Sequence, residues 1–180
     1  MKALLVIDML EDFFEDGQLH DSRSELVSNI NELVGWARGQ HVPIIWIRQE
    51  FKQDLSDAFL VMKRRQIKIT MAGTKGSQVL AELDKRNGDT EIIKKRFSAF
   101  FGTPLDKYLL ELGVTEVILA GVNTHACIRT TAIDAYQRDL DVTIVEQCVS
   151  SNDEQHHEVS LRYLEKEIAR VVGLGALITP

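Results

Sequence analysis

Three side chains with the chemistry of a nucleophile and its activators stand far apart in the sequence. Cys127 follows the apolar run EVILAG, Asp8 ends the run ALLVID, and Lys94 lies near the end of TEIIKK. A thiol beside a lysine and a carboxylate forms an activated nucleophile, because the ammonium stabilises the thiolate and the carboxylate takes the proton. The three residues therefore predict covalent chemistry if the fold brings them together.

Each of these residues also has an ordinary structural interpretation. Cysteine is a small residue that proteins often bury, an aspartate after a strand can cap a turn, and a lysine at a strand end says little by itself. The position of Cys127 favours reactivity, since a thiol in the first turn of a helix meets the positive end of the helix dipole. That field, and a lysine nearby, would lower the pKa of the thiol. Both interpretations of Cys127 stay open at this point.

The apolar runs before these residues alternate with amphipathic stretches. Runs of Val, Ile and Leu without polar alternation are typical of parallel strands buried on both faces. The predicted strands are 3–8, 43–48, 90–95, 116–121 and 141–146, with a weak sixth strand at 175–179. The predicted helices are 23–39, 76–83, 103–113, 124–139 and 151 to about 170, while 51–75 reads as polar and irregular. Thr103 caps the third helix, and Ser151 with Glu154 forms a capping box for the last.

Strands joined by helices predict an α/β fold. We expect three αβα layers around a six-stranded, mostly parallel, doubly wound sheet in the order 3-2-1-4-5-6, as a single domain over residues 1–180. Such folds bind ligands at the carboxyl ends of the strands, where the strand order reverses. Asp8 and Cys127 would face each other there, and Lys94 would reach them across the end of strand 2.

Composition and charge exclude several classes of function. The net charge of −6 argues against a nucleic-acid surface, and the clusters KKR and MKRR are too short to reverse it. No apolar run is long enough for a membrane span, and MKALLVID lacks the features of a cleaved leader. The two cysteines, Cys127 and Cys148, cannot form a disulfide framework. We therefore expect a cytoplasmic protein that binds neither nucleic acid nor membranes.

Three blocks of the sequence resemble the signature blocks of the isochorismatase-like cysteine hydrolase family. They read VIDMLEDFF, IIKKRFSAFFGTPLD and AGVNTHACIRTTAIDA. The resemblance spans nearly the whole chain and is specific because the three blocks occur in order. It implies a catalytic set of Asp8, Lys94 and Cys127, with Lys95 as a solvated neighbour.

The same resemblance implies a role for the turn before the cysteine. The peptide bond between Val122 and Asn123 would be cis, and the backbone N–H groups of Asn123 and Cys127 would form an oxyanion hole. The alternative is an ordinary turn with Thr124 as the helix cap, and the two interpretations are compatible.

The sequence departs from the family pattern where nicotinamidases bind a metal. Their metal-binding histidines follow the second strand, whereas IRQEFKQDLSDAFLVMKRRQIKIT contains no histidine. The histidines elsewhere lack ligand spacing, and we expect His156 and His157 to lie on a solvated helix; all five are His20, His41, His125, His156 and His157. We expect no metal and no cofactor. In the family, a glutamine usually stands two residues after the catalytic aspartate. Here that position, two residues after Asp8, is Leu10.

Several residues flank the predicted strand ends and are expected to bind substrate: Phe13, Arg48, Gln49, Phe97, Phe100 and His125. Arg48 either holds a substrate carboxylate bidentately or pairs with an acid of the protein, and both interpretations stay open. The loop GTKG at 73–76 is expected to be structural, because no phosphate-binding lysine follows it. Substrate selection is assigned to residues 49–75 and to neighbouring chains, since we expect a homo-oligomer, either a dimer or a tetramer.

These features favour a metal-independent cysteine hydrolase that cleaves a C–N bond of a small amide or ureido-type substrate through a thioester. True isochorismatases of the family can lack the cysteine and cleave a vinyl ether by acid catalysis, so Cys127 argues against that alternative. A catalytically idle binding or regulatory protein on the same fold is a second alternative. A nucleotide- or flavin-binding protein is a third, and the absence of GxGxxG after ALLVID argues against it.

Overall fold

Six parallel strands form one sheet in the computed structural model, which describes residues 1–179. The strands are β1 Lys2–Ile7, β2 Ile44–Gln49, β3 Thr90–Lys94, β4 Glu116–Val122, β5 Asp141–Ser150 and β6 Arg170–Val172. The helices are α1 Gly17–Gly39, α2 Leu60–Arg65, α3 Leu105–Glu111, α4 Arg129–Tyr136, α5 Glu154–Glu167 and α6 Leu174–Ile178. The order β3-β2-β1-β4-β5-β6 confirms the predicted fold and places the switch point between β1 and β4.

The sheet separates two apolar cores. Leu5 and Ile7 of β1 face the core formed with α3, α4 and α5, whereas Leu4 and Val6 face the core formed with α1 and α6. Successive side chains of a strand point to opposite faces, and both faces here are covered, so β1 reads as a continuous apolar run. Among the described residues, no helix is long and apolar enough to cross a membrane.

The last predicted strand is wrong. Residues 175–179 lie mostly in α6, and the sixth strand is formed earlier, at Arg170–Val172, where it pairs with Thr143–Val145 of β5. α6 packs against the core on the α1 side, with Leu174 buried. A short apolar run fits a strand or a buried helical turn equally well, so periodicity could not distinguish the two.

The predicted helix over 76–83 is also wrong. A 3-10 turn at Lys75–Ser77 is followed by extended chain, and Leu80 donates its backbone N–H to Met9 O at 2.9 Å. Leu80 and Leu83 are both buried, and their spacing of three imitates a helical face. Conversely, residues 51–75 are predicted to be irregular, but they contain the helix α2.

Several predicted element ends also shift. α1 begins at Gly17, six residues before its predicted start at 23, because Leu19 already packs into the core. Asp153 caps α5, accepting the backbone N–H of His156 at 2.9 Å, so the predicted capping box at Ser151 is wrong. α5 ends at Glu167 because the chain turns there into β6. β5 continues to Ser150, past its predicted end at 146.

Candidate active site

Asp8, Lys94 and Cys127 meet at the carboxyl end of the sheet. Lys94 Nζ lies 2.7 Å from Asp8 Oδ2 and 3.4 Å from Cys127 Sγ. Lys94 also donates to the backbone carbonyl oxygen of Arg96 at 3.1 Å. Asp8 and Lys94 are fully buried, and Cys127 retains 5% exposure. The structure therefore brings together the three side chains that the sequence predicted, with Lys94 in contact with both the acid and the thiol.

The end of β2 links the acid to the lysine. The backbone N–H of Gln49 donates to Asp8 Oδ1 at 2.8 Å, and Gln49 is the register partner of Lys94 in β3. Asp8 has a positive φ of 54°, a left-handed conformation that aspartate tolerates better than most residues. Its backbone N–H donates to Ile47 O at 2.8 Å. Lys94 thus reaches Asp8 across the end of β2, as predicted.

The turn before the nucleophile is set by close packing against β1. The Val122–Asn123 peptide is cis, in agreement with the family resemblance. Gly121 has a φ of +113°, and a Cβ there would lie 2.0 Å from the carbonyl oxygen of Ile7. Only glycine fits this combination of left-handed backbone and close approach. Cys127 follows in a π-helical turn, Thr124–Ile128, which leads into α4.

Burial dominates the ionisation of the site. It raises the pKa of the Cys127 thiol to about 12, because the opposing effect of Lys94 is smaller and the charge of Asp8 adds to the increase. The predicted decrease of this pKa is therefore wrong for the resting protein. Burial also opposes the charge of Lys94, but Asp8 and Cys127 outweigh it and the pKa of the lysine is raised. The resting site holds a protonated thiol beside a charged lysine.

The proposed oxyanion donors occupy the turn that leads to the thiol. Among the described residues, the Asn123 N–H donates no hydrogen bond to another group of the protein, which leaves it available to a ligand. The Asn123 side chain is occupied elsewhere, since its Oδ1 accepts the backbone N–H of Asn152 at 2.9 Å. That the N–H groups of Asn123 and Cys127 converge on one oxygen stays a prediction.

Two of the residues expected to bind substrate have other partners. Arg48 pairs with Glu50 and with Glu91 at 3.2 Å, and it donates to Ser77 O at 3.0 Å. Its guanidinium is therefore paired with acids of the protein. Of the two interpretations of Arg48, the structure favours this pairing over the binding of a substrate carboxylate. Phe100 is buried in the core below the guanidinium of Arg138, which makes it a packing residue rather than a pocket wall.

The other four expected contacts have different surroundings. Gln49 is 4% exposed, and its Oε1 is buried without a hydrogen-bond partner among the described residues. Phe97 is exposed and stacks on Phe59, with ring centroids 4.6 Å apart. His125 contacts the hydroxyl of Ser151 through Nδ1, and burial together with His156 lowers its pKa. Phe13 is half-buried against the core on the α1 side, so its contact with substrate stays a prediction.

The sequence missed several residues that shape the site. Lys95, expected to be solvated, lies 3.1 Å from Asp57 and contacts the carbonyl oxygen of Glu50, so it holds the segment after β2 in place. His157, also expected to be solvated, places Nδ1 2.8 Å from Thr124 Oγ1. Thr124 does not cap the helix, because its hydroxyl donates to Ser150 O at 3.0 Å. These contacts join distant parts of the chain, so no local pattern could reveal them.

The GTKG loop has a structural contact, in keeping with its expected role. A Cβ on Gly76 would lie 1.8 Å from Asp12 Oδ1, so the loop packs directly on that carboxylate. In the described part of the chain, no group of three or more His, Cys, Asp or Glu side chains is arranged to hold a metal ion. Glu50 is the acid that follows β2, the strand after which nicotinamidases bind their metal, and it forms an ion pair with Arg48.

Comparisons of the sequence and of the structure with known proteins both lead to the isochorismatase family. The Isochorismatase domain family matches residues 2–175. The chain is 32% identical over 167 residues to an Arabidopsis thaliana protein named "probable inactive nicotinamidase", covering 88% of this chain and 85% of the relative. An isochorismatase family protein from Desulfovibrio vulgaris subsp. vulgaris strain Hildenborough has a TM-score of 0.90 at 30% identity, covering 98% of this chain and 95% of that one. N-carbamoylsarcosine amidase from Thermoplasma acidophilum has a TM-score of 0.82 at 26% identity, covering 96% of both chains.

The fold and the site together define an α/β protein with a buried cysteine, lysine and aspartate at the switch point of a parallel sheet. The chain belongs to the isochorismatase family of hydrolases and is related to its nicotinamidases and amidases.

Proposed function

We propose that the chain is a metal-independent cysteine hydrolase that cleaves the C–N bond of a small amide or ureido-type substrate through a thioester. The observation that carries this proposal is the position of Lys94 Nζ, 2.7 Å from Asp8 and 3.4 Å from Cys127. An acid that can accept a proton and a cation that can balance charge both lie next to the thiol. This is the arrangement that covalent catalysis by cysteine requires.

The first step forms the C–S bond. Asp8 takes the proton of the Cys127 thiol while sulfur attacks the carbonyl carbon, and the π electrons of the carbonyl move to its oxygen. The N–H groups of Asn123 and Cys127 hold the resulting oxyanion, an interaction that is worth several kcal/mol in other enzymes. Asp8 then gives its proton to the nitrogen, the C–N bond breaks, and ammonia or an amine leaves. The product of this step is a thioester on Cys127.

The second step consumes water. Asp8, again a carboxylate, takes a proton from water while the oxygen attacks the thioester carbon. The C–S bond of the tetrahedral intermediate then breaks, the acid product leaves, and the proton held by Asp8 returns to sulfur. One molecule of water is used for each C–N bond cleaved, and no external oxidant or reductant is needed.

The resting ionisation of the site supports this sequence of proton transfers. Because burial raises the pKa of the thiol to about 12, sulfur holds its proton until a substrate is in place. Transfer to Asp8 at the moment of attack avoids forming a free buried thiolate. Lys94 stays charged throughout, because its pKa is raised, and it stabilises whichever partner carries the negative charge.

Gln49 supports the choice of an amide or ureido substrate. Its Oε1 is buried and has no hydrogen-bond partner in the part of the chain that the structure describes, and its backbone N–H is bonded to Asp8. A buried acceptor without a partner is costly unless a ligand supplies a donor. The N–H of a carboxamide or ureido group is such a donor. The similarity to N-carbamoylsarcosine amidase points to the same class of substrate.

A thioester trap tests the proposal. The protein is mixed with a panel of primary amides and N-carbamoyl amino acids, quenched in acid, and weighed as intact protein. We expect a substrate-derived mass on the wild-type chain that is absent from Cys127→Ala, with turnover lost in that variant although it folds. Turnover that persists in Cys127→Ala would rule out the mechanism.

Adding a vinyl ether to the panel separates the proposal from an acid-catalysed isochorismatase and from a catalytically idle protein. Vinyl-ether cleavage by acid catalysis requires Asp8 but not Cys127, so Cys127→Ala would keep activity on a vinyl ether while Asp8→Asn would lose it. An idle protein, which the name of the plant relative brings into consideration, would show neither turnover nor an adduct with any substrate.

A further inference from the structure

The turn that carries the proposed oxyanion donors is bonded to the segment after β5 at three consecutive residues. Asn123 Oδ1 accepts the N–H of Asn152 at 2.9 Å, and the Thr124 hydroxyl donates to Ser150 O at 3.0 Å. The next residue, His125, contacts the hydroxyl of Ser151. We call this set the turn anchor, Asn123–His125 on Ser150–Asn152. It fixes the backbone that lies between the cis peptide and the nucleophile.

His157 completes the turn anchor from α5. Its Nδ1 lies 2.8 Å from Thr124 Oγ1. A threonine hydroxyl has a single proton, and here that proton is donated to Ser150 O. Thr124 Oγ1 must therefore accept from His157, which assigns the proton of the imidazole to Nδ1. The imidazolium carries the same proton, so this donor persists in both charge states of the ring.

The position of His157 is itself well determined. Asp153 caps α5 through its side chain, and its backbone carbonyl oxygen accepts the N–H of His157 at 2.9 Å. His157 therefore lies in the first turn of the helix, where it faces the fully buried Thr124. A residue on a capped helix provides a rigid support for the turn, in contrast to the exposed imidazole of its neighbour His156, which pairs with Asp153.

We propose that His157 is a positioning residue for catalysis. It acts through Thr124 to keep the Asn123 N–H and the Cys127 backbone aligned on the oxygen of the reacting carbonyl. The inference rests on the proposed function, since it assigns His157 to the oxyanion site of that reaction. Loss of the bond would misplace the donors without removing any group that reacts, and small displacements of this kind are costly in enzymes.

Two reactions of Cys127 separate this role from a general effect on the thiol. p-Nitrophenyl acetate acylates the cysteine: Asp8 takes the proton of the thiol, the C–S bond forms, the C–O bond breaks, p-nitrophenolate leaves, and the transition state carries an oxyanion. Iodoacetamide alkylates the same sulfur, again with transfer of the thiol proton to Asp8, with loss of iodide and no oxyanion. The ratio of the two rates therefore reports the oxyanion donors, because both reactions share the thiol, Asp8 and Lys94.

Matched variants make the test specific. His157→Asn retains an N–H donor at the position of Nδ1, whereas His157→Gln does not, and His156→Gln makes the same change at the exposed neighbour. We expect His157→Gln to lower acylation by at least about tenfold while alkylation stays within about twofold of wild type. His157→Asn should recover most of the loss, and His156→Gln should change neither rate. A parallel fall in both rates, or equal behaviour of the Asn and Gln variants, would overturn the proposal.

Amide hydrogen exchange provides a readout that does not depend on activity. Mass spectrometry of peptides covering 121–128 should show faster exchange in His157→Gln than in wild type, and near-normal exchange in His157→Asn. If p-nitrophenyl acetate does not acylate the wild-type protein, the proposed function is contradicted, and exchange then decides only whether His157 holds the turn through Thr124. Unchanged exchange in His157→Gln would then overturn that role as well.

Discussion

The backbone N–H of Gln49 donates a 2.8 Å hydrogen bond to Asp8 Oδ1, and Oδ2 of the same carboxylate faces Lys94 at 2.7 Å. The two oxygens of Asp8 therefore have separate partners: one is held by the end of β2, and the other lies at the reacting groups. This arrangement fixes the orientation of the carboxylate while leaving one oxygen for proton transfer. The consequences for catalysis and stability can be tested one residue at a time.

The Asp8→Asn variant tests the proton acceptor. Asparagine keeps the shape and can still accept the N–H of Gln49, but it cannot take the proton of the thiol. We expect acylation of Cys127 by p-nitrophenyl acetate to fall by a factor of about 10² or more, measured by release of p-nitrophenolate.

Asp139→Asn is the matched control for this change. Asp139 has a positive φ of 58°, close to the 54° of Asp8, but it is exposed and lies outside the site. Its replacement should leave the acylation rate within about twofold of wild type, as expected for a surface change. Full activity in Asp8→Asn would show that another group takes the proton.

Removal of the buried cation should cost stability as well as activity. Lys94→Met keeps most of the side-chain volume but leaves the Asp8 carboxylate buried without its partner. We expect the free energy of unfolding to fall by about 3–5 kcal/mol, the usual cost of breaking a buried ion pair, as measured by urea denaturation. Lys95→Met is the control, since Lys95 pairs with Asp57 near the surface and its loss should cost about 1 kcal/mol or less. Equal effects of the two variants would contradict a stabilising role of the buried pair.

Much of the site could be predicted because it depends on topology. Once strands and helices alternate, the carboxyl ends of β1, β3 and β4 share one edge of the sheet, and Asp8, Lys94 and Cys127 follow from that placement. The pKa of the thiol could not be predicted. The sequence indicates a helix start, whose dipole lowers this pKa, but it does not show how deeply the thiol is buried, and burial raises the pKa. The contacts of Arg48 with Glu91 and of His157 with Thr124 were hidden for a related reason, since in each pair the two residues lie far apart along the chain.

The raised pKa of the thiol predicts the pH dependence of its alkylation. With a pKa of about 12, Cys127 should react slowly with iodoacetamide near neutral pH, and its rate should still be rising at pH 10. An exposed thiol, with a pKa near 8.5, levels off about one to two pH units above that value. Peptide mass spectrometry follows Cys127 separately from Cys148, whose pKa burial also raises to about 12. A plateau for Cys127 below pH 9 would contradict this assignment.

The same shift makes stability depend on pH, with a definite sign. The thiol stays protonated in the folded protein at pH values where it ionises in the unfolded chain. Its contribution to stability is therefore complete below about pH 8.5 and is lost progressively as the pH rises towards 12. The free energy of unfolding should fall above pH 9, and less steeply in Cys127→Ala than in wild type. Identical slopes in the two proteins would show that the folded state does not hold this proton.

Gly121→Ala tests the contact that sets the nucleophile turn against β1. A methyl group at Gly121 would lie 2.0 Å from the carbonyl oxygen of Ile7, the residue before Asp8, and the backbone there has a φ of +113°. We expect a loss of stability above about 4 kcal/mol, or failure to fold, because the clash is with backbone that cannot move aside. Gly113→Ala is the control: its φ is +67°, but among the described residues, apart from its neighbours in the chain, no atom lies within 4 Å of the added carbon. That change should cost only about 1–2 kcal/mol from the left-handed conformation, so similar losses in the two variants, measured by urea denaturation, would show that the contact with Ile7 is not what requires glycine at this position.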